Sequence, residues 1–244
     1  MTILCIETST SVCSAAICKD GVPGKQCISY DGSNHARLLP RYIEELLSYA
    51  REQGLSIDAV ALSEGPGSYT GLRIGASTAK GLCYGLNIPL IPIPTLEVLC
   101  EAAKKNLSSV SPKDGLYSVS EAVLVPMIDA RRMEVYTAIF DSESKVESQK
   151  SKDDRARAVV VENEESVLCQ QAQPAVCDLS AQRSYYYFGD GAAKCAKIFT
   201  KPNWHYVPNI VPEAQFMGAL AEQIINHKSQ ITNQQIWPTT SLSI

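Results

Sequence analysis

The chain has 244 residues, 45% of them hydrophobic, and a formal net charge of -4. That length supplies one large core or two small ones. The acidic balance makes a poor direct ligand for nucleic acid, whose non-specific affinity comes from Lys and Arg on phosphates. Nine cysteines are scattered with no Cys-x-x-Cys pair, which reads as reduced thiols in a cytoplasmic protein rather than a disulfide framework. The opening MTILCIETSTS lacks the basic-then-apolar pattern of a signal peptide, and no apolar run approaches a membrane span.

In chain order, Thr2 to Thr8 and Val12 to Cys18 read as two strands of a hairpin, with a third from Lys25 to Tyr30 after the turns at Asp20-Gly21 and Pro23-Gly24. Leu38, Leu39, Tyr42, Ile43, Leu46, Leu47 and Ala50 then form one stripe of an amphipathic helix, with Pro40 in its first turn or kinking it. Ala59 to Ser63 is a short buried strand, followed by a glycine-rich loop and a helix from Thr70. Pro89 to Pro94 is another strand, and Thr95 opens a helix to about Lys104. Residues 106–120 read as a linker. A second strand pair follows, Ala122 to Asp129 and Glu134 to Phe140. Residues 141–157 are charged and read as an exposed, mobile excursion. Tyr185 to Phe188 is a strand, Ala192 to Phe199 a helix, and Glu213 to His227 a closing helix. The tail after Lys228 is polar and reads as frayed. These readings divide the chain into an N-terminal lobe, 1–104, and a C-terminal lobe, 105–244.

Two segments repeat one another. With Ile6 laid on Ile128, Glu7 falls on Asp129, Ala16 on Ala138 and Ile17 on Ile139 without a gap. Each is a strand, an acidic residue, a tight hairpin and a second strand, as expected of an internal duplication.

The stretch SEGPGSYTGLRIGASTAKGLCYG is unusual because each interior glycine costs a helix about 1 kcal/mol relative to Ala. Its loop, with Gly65, Gly67 and Ser68, is either a strand-to-helix turn without a ligand or a cradle of outward N–H groups for an anion. It matches neither Walker A nor Gly-x-Gly-x-x-Gly. In the helix, Gly71, Gly75, Ala79 and Cys83 recur every fourth residue, as do Ser77, Gly81 and Gly85. Two nearly bare strips permit a close approach, by this chain or by another subunit.

Catalytic constellations are sparse. His35, His205 and His227 show no metal-pair spacing, and no Gly-x-Ser-x-Gly elbow occurs. Glu7 with Ser9, and Asp129, are candidate carboxylates for a metal–phosphate in an interlobe cleft, or hairpin-end acids in turns. Gly189-Asp190-Gly191 opening a helix is a second candidate anion site.

Taken in order, ILCIETSTSVCSAAI, HARLLP, SEGPGSYTGLRIGASTAKGL, IPLIPIPTLEVL, MIDARRMEVYTAIF and FGDGA resemble the bacterial TsaB family, formerly YeaZ, from Thr2 to about Ile225. The resemblance implies an α/β fold of the actin/acetate-kinase/Hsp70 type (ASKHA), with two duplicated ribonuclease-H-like lobes. It implies a non-catalytic subunit that helps make threonylcarbamoyladenosine next to the anticodon of tRNA. Its partners would be a TsaD-like transferase and a TsaE-like ATPase, with tRNA met only through the complex, no membrane, and a homodimer when isolated. The partner interface would use His35, Leu38, Tyr42, Gly71, Gly75, Ala79 and Gly81, with ATP or ADP a candidate ligand at that interface and no other cofactor. TsaD holds its metal through a His-x-x-x-His pair, and the matching positions here are Thr95 and Leu99, which cannot bind it. The ending TNQQIWPTTSLSI departs from the family's Pro-x-Tyr-Leu-Lys/Arg tail, so no role is carried over to it. The alternative from the residues themselves is a stand-alone ATPase or small-molecule kinase using Glu7, Asp129 and the glycine turns.

Overall fold

The computed structural model describes residues 1–32, 34–109, 122–141, 157–168 and 183–231. Of the expected linker at 106–120, residues 110–120 lie outside the described residues and 106–109 are helical instead. Of the excursion at 141–157, residues 142–156 lie outside, while Asp141 and Arg157 are in strands. The tail expected after Lys228 lies outside from 232, with 229–231 helical. Two units form the chain: Met1–Val98 with Pro212–Ile244, and Leu99–Val211. The closing helix therefore returns to the first unit, a step that a single boundary near 105 does not contain.

In the first unit, β1 (Thr2–Glu7), β2 (Cys13–Lys19), β3 (Val22–Ser29), β4 (Ala59–Gly65) and β5 (Leu90–Pro94) form one sheet in the order β3-β2-β1-β4-β5. The tight Ser9–Ser11 connection forces β1 and β2 antiparallel. Parallel pairing of β1 with β4 and of β4 with β5 needs crossovers, and the helices α1 (His35–Glu52) and α2 (Tyr69–Leu86) supply them. Every residue of β1 is buried, because both faces of the sheet are covered. Leu4 and Ile6 meet Leu39, Ile43 and Leu46 of α1 and Ala76, Ala79 and Cys83 of α2 in one core. The opposite face receives a short 3-10 turn (Ala214–Phe216) and the closing helix, labelled α5 (Met217–Ile231). The α1 stripe turns Leu39, Ile43, Leu46 and Ala50 inward, and Pro40 sits on its exposed side. α2 ends on Asn87 in the left-handed region, φ 55°.

After α3 (Thr95–Ser109), the second unit holds β6 (Val123–Asp129), β7 (Glu134–Thr137), β8 (Phe140–Asp141), β9 (Arg157–Val160), α4 (Glu164–Leu168), β10 (Tyr185–Phe188) and β11 (Trp204–Tyr206). Its sheet runs β11-β10-β6-β7-β9, with β8 also paired to β6. β6 pairs antiparallel with β7 and parallel with β10, and β10 runs parallel to β11. This is the order of the first unit repeated: hairpin partner on one side of the opening strand, two parallel strands on the other. The repeat read from Ile6 and Ile128 is thus a repeat of topology, as the ASKHA fold requires.

Two expectations change. The strand read as Glu134 to Phe140 breaks at Ala138 and Ile139 into β7 and β8. The segment after Gly191 is not a regular α-helix but a run of turns, with Ala192, Cys195 and Ile198 N–H groups bonding three residues back. The spacing that buries Ala192, Cys195 and Phe199 suits either winding, so pattern alone does not separate them. The short β9, α4 and β11 carry no signal strong enough to be read in advance. No described helix is long and apolar enough to cross a membrane.

Candidate functional site

The glycine stretch behaves as three separate devices. In the loop, Gly67 lies against the β1 end so closely that a Cβ there would sit 2.2 Å from the Ser9 carbonyl oxygen. Ser68 N–H donates to that same oxygen at 2.6 Å, and the Ser68 side chain accepts from Gly71 N–H at 3.3 Å, capping α2. Gly65, at φ 108°, takes a conformation L-residues avoid. The loop N–H of Ser68 and the cap N–H of Gly71 are therefore bonded within the chain.

On α2, the strip Gly71, Gly75, Ala79 and Cys83 is buried. A Cβ on Gly71 would lie 2.0 Å from the Thr8 carbonyl oxygen, and one on Gly75 would lie 2.4 Å from Thr8 Oγ1. This strip lets α2 press onto β1 of its own sheet. The expectation that Gly71, Gly75 and Ala79 stay open for a partner is corrected by that contact. His35 is also turned inward: it is buried, and its Nε2 lies 3.2 Å from the Val12 carbonyl oxygen. A carbonyl only accepts, so Nε2 carries the hydrogen, and His35 ties the start of α1 to β2. Leu38 and Tyr42 are half-buried against the same core.

The other strip is different. Ser77, Gly81 and Gly85 are exposed, and a Cβ on Gly81 or Gly85 would meet nothing within 4 Å. Beside it, Ala36 and Pro40 of α1 and Tyr69, Arg73, Ile74, Ser77 and Thr78 of α2 line an open groove of about 450 Å³. Tyr69 and Tyr84 are 66% and 93% exposed, and Leu86 is 46% exposed. Arg73 lies over the Tyr69 ring, 5.3 Å from its centroid, and its Nη1 donates to the Tyr69 hydroxyl at 3.3 Å. Scattered exposed apolar residues are ordinary on a surface, but here Tyr69 and Tyr84 lie beside bare backbone and a groove, while Leu86 falls on the opposite side of the helix.

The candidate carboxylates differ between the units. Glu7 is fully buried. Its Oε1 accepts from Ser9 N–H at 2.7 Å, Ser9 Oγ at 2.6 Å and Ser63 Oγ at 3.0 Å, whereas Oε2 has no hydrogen-bond partner among the described residues. Burial pushes its carboxyl above the ordinary range, against the pull of the Ser9 and Ser63 donors. Asp129 is half-exposed and held by the Lys194 ammonium, which also donates to the Arg132 and Glu134 carbonyls. Gly189 and Gly191 serve close packing, as Gly67 and Gly71 do. Added Cβ atoms would lie 2.2 Å from Met127 O and 2.9 Å from Ile128 C, and Gly191 N–H donates to Met127 O. Both units thus set a glycine turn hard against the end of their opening strand. Thr95 and Leu99 are buried on α3, and no group of three or more metal-ligating side chains converges among the described residues.

A family model described as tRNA N6-adenosine threonylcarbamoyltransferase (TsaD) matches residues 30–240. The tRNA threonylcarbamoyladenosine biosynthesis protein TsaB of Haemophilus influenzae is 30% identical across 98% of this chain and 92% of its own length. The chain belongs to the TsaB family. The Escherichia coli K12 protein of the same name is 34% identical, over 57% of this chain and 55% of its own length. The solved structure of YeaZ from Pseudomonas aeruginosa, 23% identical, superposes with a TM-score of 0.65 over 98% of this chain and 99% of that one, which shows a shared fold. The glycine helix is legible in the sequence, whereas the split between its strips and the aromatic residues Tyr69 and Tyr84 beside them emerge from the fold. A helical wheel carries that signal: Arg73, Lys80 and Tyr84 flank the exposed strip, and Leu72 and Leu82 the buried one.

Proposed function

We propose that the chain is a subunit of the machinery for tRNA threonylcarbamoyladenosine biosynthesis, and that the outer face of α1 and α2 docks a TsaD-family partner in which the chemistry takes place. The observation that carries this reading is the exposed strip of Ser77, Gly81 and Gly85, flanked by the open groove and by Tyr69 and Tyr84. Bare helix backbone lets a partner helix come closer than the usual ~8–10 Å between axes. Rigid aromatic side chains at the rim supply contact area at low entropic cost. A docking role also suits the inward use of the glycine-loop N–H of Ser68 and of Ser9. A TsaE-like ATPase joins the pair, and without a partner the same face meets a second copy of the chain.

The test is affinity for the TsaD-family protein encoded in the same genome. Gly81→Leu and Ser77→Trp place bulk where the free chain has room, so both fold like the parent and weaken the complex at least tenfold. Unchanged affinity in both variants overturns the docking face. Turnover of Mg-ATP by the isolated chain would favour the stand-alone ATPase reading instead.

A further inference from the structure

Away from the docking face, two thiols meet on the other side of the first sheet. Cys5 on β1 and Cys18 on β2 lie on one face of the hairpin: Cys5 is opposite Ala16, and Cys18 is two residues further, opposite Ile3. Their sulfurs are 3.8 Å apart, with the Cys5 S–H donating to Cys18. Both residues are buried, 0% and 1% exposed. The lid over Cys18 is the start of the closing segment. The Gln215 carbonyl accepts from the Cys18 thiol at 3.9 Å. Gly218, in the first turn of α5, comes so close that a Cβ there would lie 2.5 Å from Cys18 Cβ and 2.8 Å from its sulfur. Only glycine brings a helix N-terminus this near to a thiol.

We propose that Cys5 and Cys18 form a redox-active dithiol, converted to a reversible intramolecular disulfide by a low-molecular-weight disulfide, with Cys18 as the attacking sulfur and Cys5 as the resolving one. The division of roles follows from the surroundings. A helix N-terminus and donated hydrogen bonds favour a thiolate. The Cys5 S–H, aided by the Gly218 N–H, pulls the Cys18 thiol below its ordinary range against the upward push of burial and of Glu222, while donation to Cys18 together with burial pushes Cys5 well up. Burial alone pushes Cys83 up to about 11, and it is the main cause of values of about 11 at Cys13, Cys27 and Cys195.

The exchange balances without any other reactant. The Cys18 thiolate attacks one sulfur of the external disulfide, forming a mixed disulfide and releasing one thiolate. Cys5, losing its proton, attacks the Cys18 sulfur and expels the second thiolate, so two protein thiols become one disulfide and the reagent leaves as two thiols. The sulfurs must close from 3.8 Å to about 2.0 Å, and because the register makes the pair diagonal, about 7–8 Å apart in backbone against the ~4.4–6.8 Å that a disulfide spans, β1 and β2 must shift with them. That movement draws the Cys18 sulfur away from Gln215 and Gly218, so oxidation loosens the first turn of α5. Entry of the reagent requires the same turn to lift, which exposes the buried Met217, Leu220 and Ala221, so oxidation proceeds through a local opening of the first unit.

The test treats the full chain with oxidised glutathione under native conditions, then maps disulfides by mass spectrometry and follows amide hydrogen exchange. The expected result is loss of two free thiols, a Cys5–Cys18 linked peptide, and faster exchange over residues 215–220. Cys5→Ser removes the resolving sulfur and retains one glutathione on Cys18; Cys5→Ala serves if the serine is poorly tolerated. Reduction restores both thiols. Full retention of both thiols in the parent chain, or a linkage through other cysteines, overturns the proposal. A cross-link with unchanged exchange over 215–220 overturns its coupling to α5.

Discussion

Two glycines on one helix are expected to respond to the same substitution with opposite sign. Gly71→Ala and Gly81→Ala each recover about 1 kcal/mol of helix propensity. At Gly81 nothing lies within 4 Å of the new methyl, so the whole gain remains. At Gly71 the methyl would lie 2.0 Å from the Thr8 carbonyl oxygen, where a carbon–oxygen contact needs about 3.3 Å. Helix and strand must therefore separate by roughly 1.3 Å, the difference between those two distances. The obstacle is backbone, which has no rotamer to move to. Overpacking costs about 1–3 kcal/mol, and this contact belongs at the upper end. The net for Gly71→Ala is a loss of about 2 kcal/mol, against a gain of about 1 kcal/mol for Gly81→Ala. At roughly 2–4 °C per kcal/mol for a chain of this size, Tm falls by about 4–8 °C in the first variant and rises by about 2–4 °C in the second. Thermal melts followed by far-UV circular dichroism, with urea midpoints as a check, measure both. If Gly71→Ala melts with the parent, or Gly81→Ala melts below it, the assignment of the strips is wrong.

Glu7→Gln tests the buried carboxyl. Burial holds the folded pKa of Glu7 above its ordinary 4.5, so the folded state binds that proton more tightly than the unfolded one. Its contribution is fully present below the unfolded pKa and lost as pH rises through the folded value. The unfolding free energy of the parent minus that of Glu7→Gln should therefore decline as pH rises above the ordinary 4.5 of the unfolded chain, and a rising difference would refute the assignment. Asn87, left-handed at φ 55°, is expected to tolerate Gly and resist Ala. Asn87→Ala loses about 1 kcal/mol and Asn87→Gly loses nothing or gains slightly, both read as shifts in Tm; equal melts for the two variants would rule out the cap.

What the sequence carries well is what depends on neighbours in the chain. The β1–β2 hairpin is local, the α1 stripe is local, and the repeat from Ile6 onto Ile128 needed only ungapped alignment; the sheet orders β3-β2-β1-β4-β5 and β11-β10-β6-β7-β9 bear it out. What it carries poorly is which of two similar surfaces faces inward. At 3.6 residues per turn, the Gly71 and Ser77 strips are centred about 140° apart on α2, too far for one neighbour to cover both. Composition treats them alike, since both are small residues at spacing four. Thr8 separates them, and Thr8 is more than sixty residues upstream, brought under Gly71 and Gly75 only when β1 pairs with β4. Glu7 follows the same logic. As a strand-end acid it reads as a ligand waiting for a cation, but the parallel β1–β4 pair carries Ser63 to it across 56 residues, and with Ser9 all three donors converge on one oxygen. The glycines of α2 thus serve two purposes at once. One set is consumed in building the sheet–helix contact that makes the unit rigid. The second set, Gly81 and Gly85, stays exposed, with nothing within 4 Å of an added Cβ.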